Sequence, residues 1–117
     1  MINVTLNVKK QWFDMILSGE KKEEYREIKD LYLNKFCTKE HYKFEIEILH
    51  NAINCFPDTI TFLNGMKKQT PTIVIECKGI TVGKGKTHWG AEPHEQYFVI
   101  KLGNIISTKN IKLDLTA

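Results

Sequence analysis

The sequence predicts a small α+β fold, in which five to six strands form one mixed sheet that curls into a β-barrel beside two or three short helices. Apolar and polar residues alternate over residues 2–8, 58–63 and 96–102, which is the period of half-buried strands. Short stretches with helical spacing interrupt these strands. Because long excursions separate the strands, a small curled sheet is favoured over layered βαβ units.

The first third of the chain predicts a strand, a helix and a second strand. Residues 2–8 place their apolar side chains on one face, and residues 9–18 carry a helical stripe formed by Trp12, Phe13, Ile16 and Leu17. Gly19 occupies the position where helices often end in a left-handed glycine. Residues 21–28 are interpreted as extended from their context, although propensity alone would favour a helix there.

The middle of the chain is less regular. Residues 28–37 carry apolar side chains at helical spacing and predict a second short helix. Residues 38–56 combine strand-like and helix-like spacing and lean towards helix. Residues 58–63 predict a strand that ends at Asn64-Gly65, a dipeptide typical of turns.

The last third predicts further strands. A long strand is expected from Thr72 to about Val82, with a bulge or a close backbone approach at Gly79. Residues 83–86 are interpreted as a loop. Residues 96–102 predict a strand with Phe98, Ile100 and Leu102 on one face, and residues 104–115 predict one or two short closing strands.

Composition limits the functional classes. The 117 residues are 42% hydrophobic and 26% charged, which is typical of one soluble globular domain spanning residues 1–117. A net charge of +3 permits nucleic acid as a partner without requiring it. The start of the chain has no secretory pattern and no apolar run has membrane-spanning length, so we expect a cytoplasmic protein that does not insert into membranes.

The sequence predicts neither a metal site nor a cofactor. Its three cysteines, Cys37, Cys55 and Cys77, are odd in number and widely spaced, which indicates reduced thiols rather than a disulfide framework or a zinc site. His88 and His94 lie six residues apart with no cysteine or carboxylate completing a metal-ligand spacing. The oligomeric state is not indicated.

The motif G-x-K-x-x-E-x-R, formed by Gly19, Lys21, Glu24 and Arg26, is the most informative stretch. In an extended segment Glu24 and Arg26 point to the same face about 7 Å apart, and the preceding turn can aim Lys21 over that face. One interpretation is a solvated strand face with a weak Glu–Arg pair. The other is a pocket that grips phosphate or tunes a base or nucleophile.

The four motif positions resemble the signature of the ASCH domain, a small β-barrel related to the PUA RNA-binding fold. Further segments resemble a bacterial and phage subgroup, namely Phe62-Leu63-Asn64-Gly65, Gly83-x-Gly85, Trp89-Gly90 and residues 97–103. The resemblance implies a PUA-like barrel whose cleft has Lys21, Glu24 and Arg26 on its floor. It also implies that RNA or a modified nucleoside is the ligand.

The first functional hypothesis is therefore a binding module for RNA or a modified nucleoside. Lys21 and Arg26 would contact phosphate or a base edge, and Glu24 would orient Arg26 or accept a hydrogen bond from a base amino group. The basic loop at residues 83–90 would add phosphate contacts and stacking. The predicted ligand-binding residues are Lys21, Lys22, Tyr25, Arg26, Asn64, Lys84, Lys86, Trp89 and Tyr97.

Two alternatives remain open. One ASCH subgroup is an amidohydrolase of acetylated cytidine. By analogy Lys21 would act as base or nucleophile and Glu24 as proton shuttle, while Arg26 would hold Glu24 ionised or stabilise an oxyanion. That subgroup has a threonine where this chain has Glu24, and this departure weakens the analogy. The other alternative is a non-catalytic accessory protein in which the three charged residues close the barrel by an internal ion pair.

Overall fold

A computed structural model describes residues 2–36 and 57–111, which form a half-barrel with helices packed against it. The strands are β1 (Asn3–Asn7), β2 (Glu23–Glu27), β3 (Thr59–Leu63), β4 (Thr72–Lys84) and β5 (Gln96–Lys109). The α-helices are α1 (Lys10–Leu17) and α2 (Asp30–Phe36), and a 3₁₀ helix spans Thr87–Trp89. The predicted small α+β sheet with short helices is confirmed in this coarse form.

The five strands form one mixed sheet in the order β1-β3-β4-β5-β2. Strand β1 pairs with β3 in parallel, whereas all the other neighbours are antiparallel. Strands β1 and β2 are therefore the two edges of the sheet. Because the sheet curls, the chain brings these two edges towards each other on the side where β2 carries its charges.

The concave face of the sheet holds the apolar core. Strands β3, β4 and β5 contribute side chains that are fully buried, namely Ile60, Phe62, Ile73, Ile80, Phe98 and Ile100. Helix α1 adds Phe13 and Ile16 to this cluster, and helix α2 adds Phe36, whose ring meets Phe98 edge-on at 5.5 Å between centroids. The predicted inward face of β5 is confirmed.

A smaller apolar cluster covers the opposite face of the β2–β5 pair. It consists of Tyr25, Trp89, Ala91 and Val99, with Met15 and Tyr97 packed beside it. Tyr25 and Val99 lie directly opposite each other in the antiparallel ladder, so they share this face. Both faces of β2 are thus covered near its middle, which explains how Glu24 and Tyr25 are buried in a strand rich in charged residues.

Two predicted boundaries need correction. Residues 83 and 84 are not in a loop, because β4 continues through Lys84 and pairs there with Gln96 of β5. Strand β5 is one continuous strand to Lys109 rather than a strand followed by separate closing strands. Its partner β4 is almost as long, and this pairing extends both strands where local sequence indicated breaks. The expected bulge at Gly79 is confirmed by a register shift.

Two predictions fall outside the described residues. The helix-leaning segment 38–56 lies there, and so does the part of the predicted closing strands beyond residue 111. Of the three cysteines, Cys77 is described, and its thiol is free and buried in the core. Within the described ranges, none of the helices combines the length and the hydropathy needed to cross a membrane.

Candidate functional site

The register of β2 against β5 turns two charged side chains towards the concave face. Glu24 lies opposite Ile100 and Arg26 lies opposite Phe98, and directly opposed residues of an antiparallel pair share a face. Ile100 and Phe98 belong to the apolar core. The alternation predicted from the motif is therefore present, and Glu24 and Arg26 project beside the core rather than towards bulk water.

The turn after helix α1 places Lys21 next to this face. Gly19 adopts a left-handed conformation with φ of 84°, which allows the chain to reverse directly after the helix. The backbone N–H of Lys21 then donates to the carbonyl of Met15 at 3.0 Å. This ordered turn directs the Lys21 side chain inward, where only 1% of the residue's surface stays exposed.

The ammonium group of Lys21 uses all three of its donors. It donates to the backbone carbonyls of Glu23 and Trp89, each at 2.8 Å, and lies 3.2 Å from Oε1 of Glu24. An ammonium has three N–H donors and no acceptor, so these contacts satisfy it. Lys21 consequently joins the start of β2 to the 3₁₀ helix that ends at Trp89.

Two aromatic rings surround the same ammonium. Its Nζ lies 5.4 Å from the ring centroid of Trp12 and 4.9 Å from that of Tyr25, within the range of cation–π attraction. Burial lowers the pKa of Lys21 from its ordinary value, and the negative charge of Glu24 opposes that change. The lysine is thus held by paired oxygens and rings in a poorly hydrated position.

Glu24 is the central member of the group. Its Oε1 accepts from the Tyr25 backbone N–H at 3.0 Å besides facing Lys21, and its Oε2 accepts from Nη2 of Arg26 at 3.0 Å. We call Lys21, Glu24 and Arg26 the ion network. Both carboxylate oxygens have charged or N–H partners, which is what allows a carboxylate to be 6% exposed without an uncompensated charge.

Arg26 links the two edges of the sheet. Its Nη2 also donates to the backbone carbonyl of Asn7, at the end of β1, at 2.8 Å. Its Nη1 donates to the Tyr32 hydroxyl of helix α2 at 3.2 Å. The Arg26 side chain is 16% exposed, against 0% for Lys21 and 8% for Glu24. Arg26 is therefore the member of the network that reaches solvent.

These burial values exclude one of the two interpretations of the motif. A solvated strand face would leave Lys21 and Glu24 exposed, yet both are almost completely buried. The interpretation as a solvated face is wrong for these two residues. The physical reason is that helix α1, helix α2 and the 3₁₀ helix all pack over the end of β2, which the composition of residues 21–27 does not reveal.

A cleft of about 330 Å³ lies beside the ion network. It opens between the end of β1, the start of α1, strand β2, helix α2 and the 3₁₀ helix. Five aromatic residues are among the twelve residues that line it, namely Trp12, Tyr25, Tyr32, Trp89 and Tyr97. The charged residues that line it are Lys9, Glu24, Arg26 and Glu27. Hydrophobic rings with a few convergent polar groups are typical of small-molecule sites.

Tyr25 and Tyr97 are held by hydrogen bonds of their own. The Tyr25 hydroxyl accepts the backbone N–H of Lys86 at 2.9 Å and donates to Glu23 at 2.7 Å. Burial raises the pKa of Tyr25 well above its ordinary value. The Tyr97 hydroxyl accepts the backbone N–H of Glu92 at 2.9 Å. Both phenols are thereby fixed in orientation next to the cleft, which both residues line.

Glu23, which accepts from Tyr25, lies on the outer side of β2. It also pairs with Lys101 of the neighbouring strand. Burial would raise the pKa of the Glu23 carboxyl, but the hydrogen bonds from Lys101 and Tyr25 together bring it below its ordinary value. Glu23 therefore stays ionised and supports the position of the Tyr25 ring from outside the cleft.

Trp89 has two separate roles in the site. Its carbonyl binds Lys21, and its indole ring packs into the smaller apolar cluster and is 8% exposed. Its indole N–H is buried without a hydrogen-bond partner among the described residues. Gly90 follows with φ of 105°, and a Cβ there would lie 3.0 Å from the Trp12 ring, so this glycine allows the two elements to meet closely.

The structure brings together six of the predicted site residues. Glu24, Tyr25, Arg26, Trp89 and Tyr97 line the cleft, and Lys21 lies directly behind Glu24. That these residues bind or catalyse stays a prediction. That they lie together at one cleft is a feature of the structure. They come from the turn before β2, from β2 itself, from the 3₁₀ helix and from β5. Strand β2 is far from the 3₁₀ helix and β5 in sequence but pairs with β5 in the sheet.

The other four predicted residues do not line this cleft. Lys22 is exposed beside a separate depression next to residues 102–105. Asn64 donates to the carbonyl of Val8 at 3.0 Å and faces a larger groove. Lys84 and Lys86 are exposed near the rim, where Nζ of Lys86 lies 4.7 Å from the Trp89 ring centroid.

Three lining groups were missed by sequence reasoning. Trp12 was assigned only to the helix core, whereas its ring faces both the core and the cleft. Tyr32 supplies a ring 5.5 Å from the Arg26 guanidinium carbon, and its helical spacing gave no sign of that contact. The carbonyl of Asn7 binds Arg26, and because it is a backbone group no residue type signals it.

Comparison with known proteins adds no identification. No protein-family model, curated protein or solved structure matches this chain. Among the residues that the structure describes, no group of three or more histidine, cysteine, aspartate or glutamate side chains is arranged to hold a metal ion. The functional argument therefore depends on the geometry of the ion network and the cleft.

Proposed function

We propose that this chain is a binding module of the ASCH type with a PUA-like barrel, and that its cleft holds a nucleobase, either in RNA or in a modified nucleoside. The observation that carries this proposal is a buried ion network whose one partly exposed member, Arg26, opens into an aromatic-walled cleft. Guanidinium and aromatic rings are the groups that recognise unstacked bases.

The cost of the network supports a role beyond closing the barrel. Removing three charged groups from water is unfavourable, and apolar residues of similar volume often stabilise a protein as well or better. A purely architectural contact between β1 and β2 would need neither Glu24 nor Lys21. Clusters of buried ionisable residues beside a cleft are typical of functional sites, and the presence of the cleft favours a binding site over the accessory-protein alternative.

Arg26 has donors to offer to a ligand. A guanidinium carries five N–H donors. Three of them bind Glu24, Asn7 and Tyr32, which leaves two without a partner among residues 2–36 and 57–111. Base edges and phosphates present oxygen or nitrogen acceptors that match these donors. The existing hydrogen bonds hold the Arg26 guanidinium in one orientation, so little side-chain entropy is lost when a ligand binds.

The rings of the cleft provide a surface for the base itself. Stacking on an aromatic side chain contributes about 1–3 kcal/mol per base and tolerates different bases. Tyr97 and Tyr25 are fixed by their hydroxyl bonds, and their ring centroids lie 5.8 Å apart. At the rim, Lys84 and Lys86 are exposed and would contact flanking phosphates of RNA.

Catalysis by Lys21 fits this geometry less well than binding. A nucleophile or general base must approach the atom on which it acts. The Lys21 ammonium is satisfied by three acceptors and its side chain is 0% exposed. The lowered pKa of Lys21 is the one feature that favours hydrolysis of an acylated cytidine, so turnover of that compound belongs in the test.

The test is a ¹H–¹⁵N chemical-shift titration with single nucleosides, including acetylated cytidine, and with a short single-stranded RNA. We expect shifts centred on Glu24, Tyr25, Arg26 and Tyr97. Arg26→Met is expected to weaken binding at least about tenfold, because a charged hydrogen bond contributes about 1.5–3 kcal/mol. Lys78→Met, which removes the same charge from an exposed position outside the cleft, is the matched control.

Loss of folding must be separated from loss of binding. The spectrum of each variant reports whether the sheet is intact, and Arg26→Lys keeps the charge while removing the fork, so it should bind with intermediate affinity. Equal binding by wild type and Arg26→Met, or no shifts at the cleft with any ligand, would refute the proposal. Turnover of acetylated cytidine that disappears in Lys21→Met would replace it with the hydrolase.

A further inference from the structure

A second concavity lies next to the cleft and is larger, with a volume of about 570 Å³. Its walls are helix α1, the loop at residues 64–71 that joins β3 to β4, and residues 110–111 after β5. We call it the basic groove, because lysines at residues 10, 67 and 68 line it. None of the predicted site residues except Asn64 belongs to it.

The basic groove and the cleft meet where the end of β1 is hydrogen-bonded to the loop that follows β3. Asn7 and Val8 line the cleft, whereas Asn64 and Gly65 line the groove. The Asn7 side-chain amide donates to the Gly65 carbonyl at 2.8 Å, and the Asn64 amide donates to the Val8 carbonyl at 3.0 Å. The cleft and the basic groove therefore lie on either side of the same hydrogen-bonded contact.

The same boundary connects the loop to the ion network. Asn7 binds the loop with its side chain, and its backbone carbonyl binds Arg26. Asn7 thereby links the loop at residues 64–71 to the Arg26 guanidinium, which we propose for base recognition. Two contacts on one residue set the distance between the cleft and the lysines of the loop, which favours one extended ligand over two separate ones.

The charges along this path are predominantly positive. Lys9 lines the cleft and Lys10 follows it at the groove, and both are exposed. Lys67 and Lys68 are exposed on the loop opposite. The one carboxylate among the lining residues of the groove is Asp14, which Lys10 already pairs with at 2.6 Å. Lys67 and Lys68 thus present unneutralised charge to the groove.

We infer that the basic groove takes the sugar-phosphate backbone that flanks the nucleobase in the cleft, so that the ligand is a single-stranded polynucleotide and not a free nucleoside. This inference rests on the proposed function. Lys67 and Lys68 contact the phosphates on one side of the bound nucleobase, while Lys84 and Lys86 lie on the other side. Because phosphate contacts supply most of the salt-sensitive affinity of nucleic-acid binding, the lysines of the groove carry a measurable share of it.

The experiment compares a nucleoside with a single-stranded RNA nonanucleotide on wild type and on Lys67→Gln/Lys68→Gln. The matched control is Lys35→Gln/Lys78→Gln, which removes two charges from exposed positions that line neither concavity. For the loop variant, the slope of log affinity against log salt is expected to become shallower by about 1.4, which is about 0.7 for each single-strand phosphate contact. Nucleoside affinity is expected to be unchanged.

The possible results distinguish failure of this inference from failure of the proposed function. Nucleoside binding at the cleft together with identical nonanucleotide slopes for wild type and the loop variant would overturn this inference and leave the proposed function standing. No response of the cleft to either ligand would overturn the proposed function. Polyglutamate that binds wild type as tightly as the nonanucleotide, and loses its affinity in the loop variant, would identify a site for acidic protein and overturn the inference.

Discussion

The apolar core and the ion network share one face of the same sheet and hold it together by opposite means. In the core, Phe98 and Ile100 are fully buried among other apolar side chains. On the neighbouring strand the residues directly opposite them are Arg26 and Glu24. The core gains from every apolar surface removed from water, whereas the network is stable only while each charge keeps its partner.

This difference shows what each region tolerates. An apolar cluster accepts exchange among residues of similar volume, because its contacts have no direction. The network has directed contacts, so loss of one member leaves the others buried and unpaired. The core therefore holds the strands together, and the network fixes the relative position of β1, β2 and the 3₁₀ helix around the cleft. Breaking each region separately tests this division.

The largest effect is expected from a cavity in the core. Phe98→Ala removes a fully buried ring that packs against Phe36, and such truncations reduce the free energy of unfolding by about 3–5 kcal/mol. Urea unfolding followed by circular dichroism measures the loss. Ile106→Ala, at a residue that is 59% exposed on the same strand, should stay within about 0.5 kcal/mol of wild type. Equal effects would contradict the assignment of this core.

The next effect comes from removing the centre of the ion network. Glu24→Gln leaves Lys21 and Arg26 facing each other without a carboxylate, and the free energy of unfolding should fall by about 3 kcal/mol. Glu27→Gln is the same change on the same strand at a glutamate whose side chain is 72% exposed, and it should alter stability by less than about 0.5 kcal/mol. Urea unfolding again provides the measurement.

A double variant sharpens this comparison. Lys21→Met combined with Glu24→Gln removes one charge of each sign, so the combined loss of stability should be smaller than the sum of the two single losses. For Phe98→Ala combined with Glu27→Gln, which share no partner, the losses should add. Additive losses within the network would show that Lys21 and Glu24 do not depend on each other, contrary to their 3.2 Å contact.

The smallest expected effect is a dependence on pH that belongs to Lys21. Its pKa in the folded protein is lowered by burial below the ordinary value of 10.5. Between these two pKa values the unfolded chain holds a proton that the folded chain lacks, so the free energy of unfolding rises with pH in this window. Below the window the unfavourable contribution of the charged lysine is fully present.

The measurement is the difference in unfolding free energy between wild type and Lys21→Met. This difference should shift in favour of wild type as the pH rises from neutral towards 10.5. Tyr25, whose pKa is raised by burial, is present in both proteins, so its own titration largely cancels in the difference. A difference that is constant across this range would show that Lys21 titrates as it does in the unfolded chain.

Periodicity alone predicted most of the local structure. The alternation of residues 96–102 gave the inward face of β5, and the stripe of residues 12–17 gave helix α1. The spacing of Glu24 and Arg26 predicted a shared face, and Gly19 predicted the reversal before it. These features depend on side-chain period and on the conformational freedom of glycine, both of which are properties of the chain itself.

The tertiary structure decided depth and partnership. Six charged residues among seven at positions 21–27 suggest a wet surface, yet Lys21 and Glu24 are buried because three helical elements cover the end of β2. The carbonyls of Asn7 and Trp89, which hold Arg26 and Lys21, have no sequence signature at all. Strand β4 extended through Lys84 because β5 pairs with it there. Period follows from neighbours along the chain, whereas burial and bonding depend on which distant segments pack above a residue.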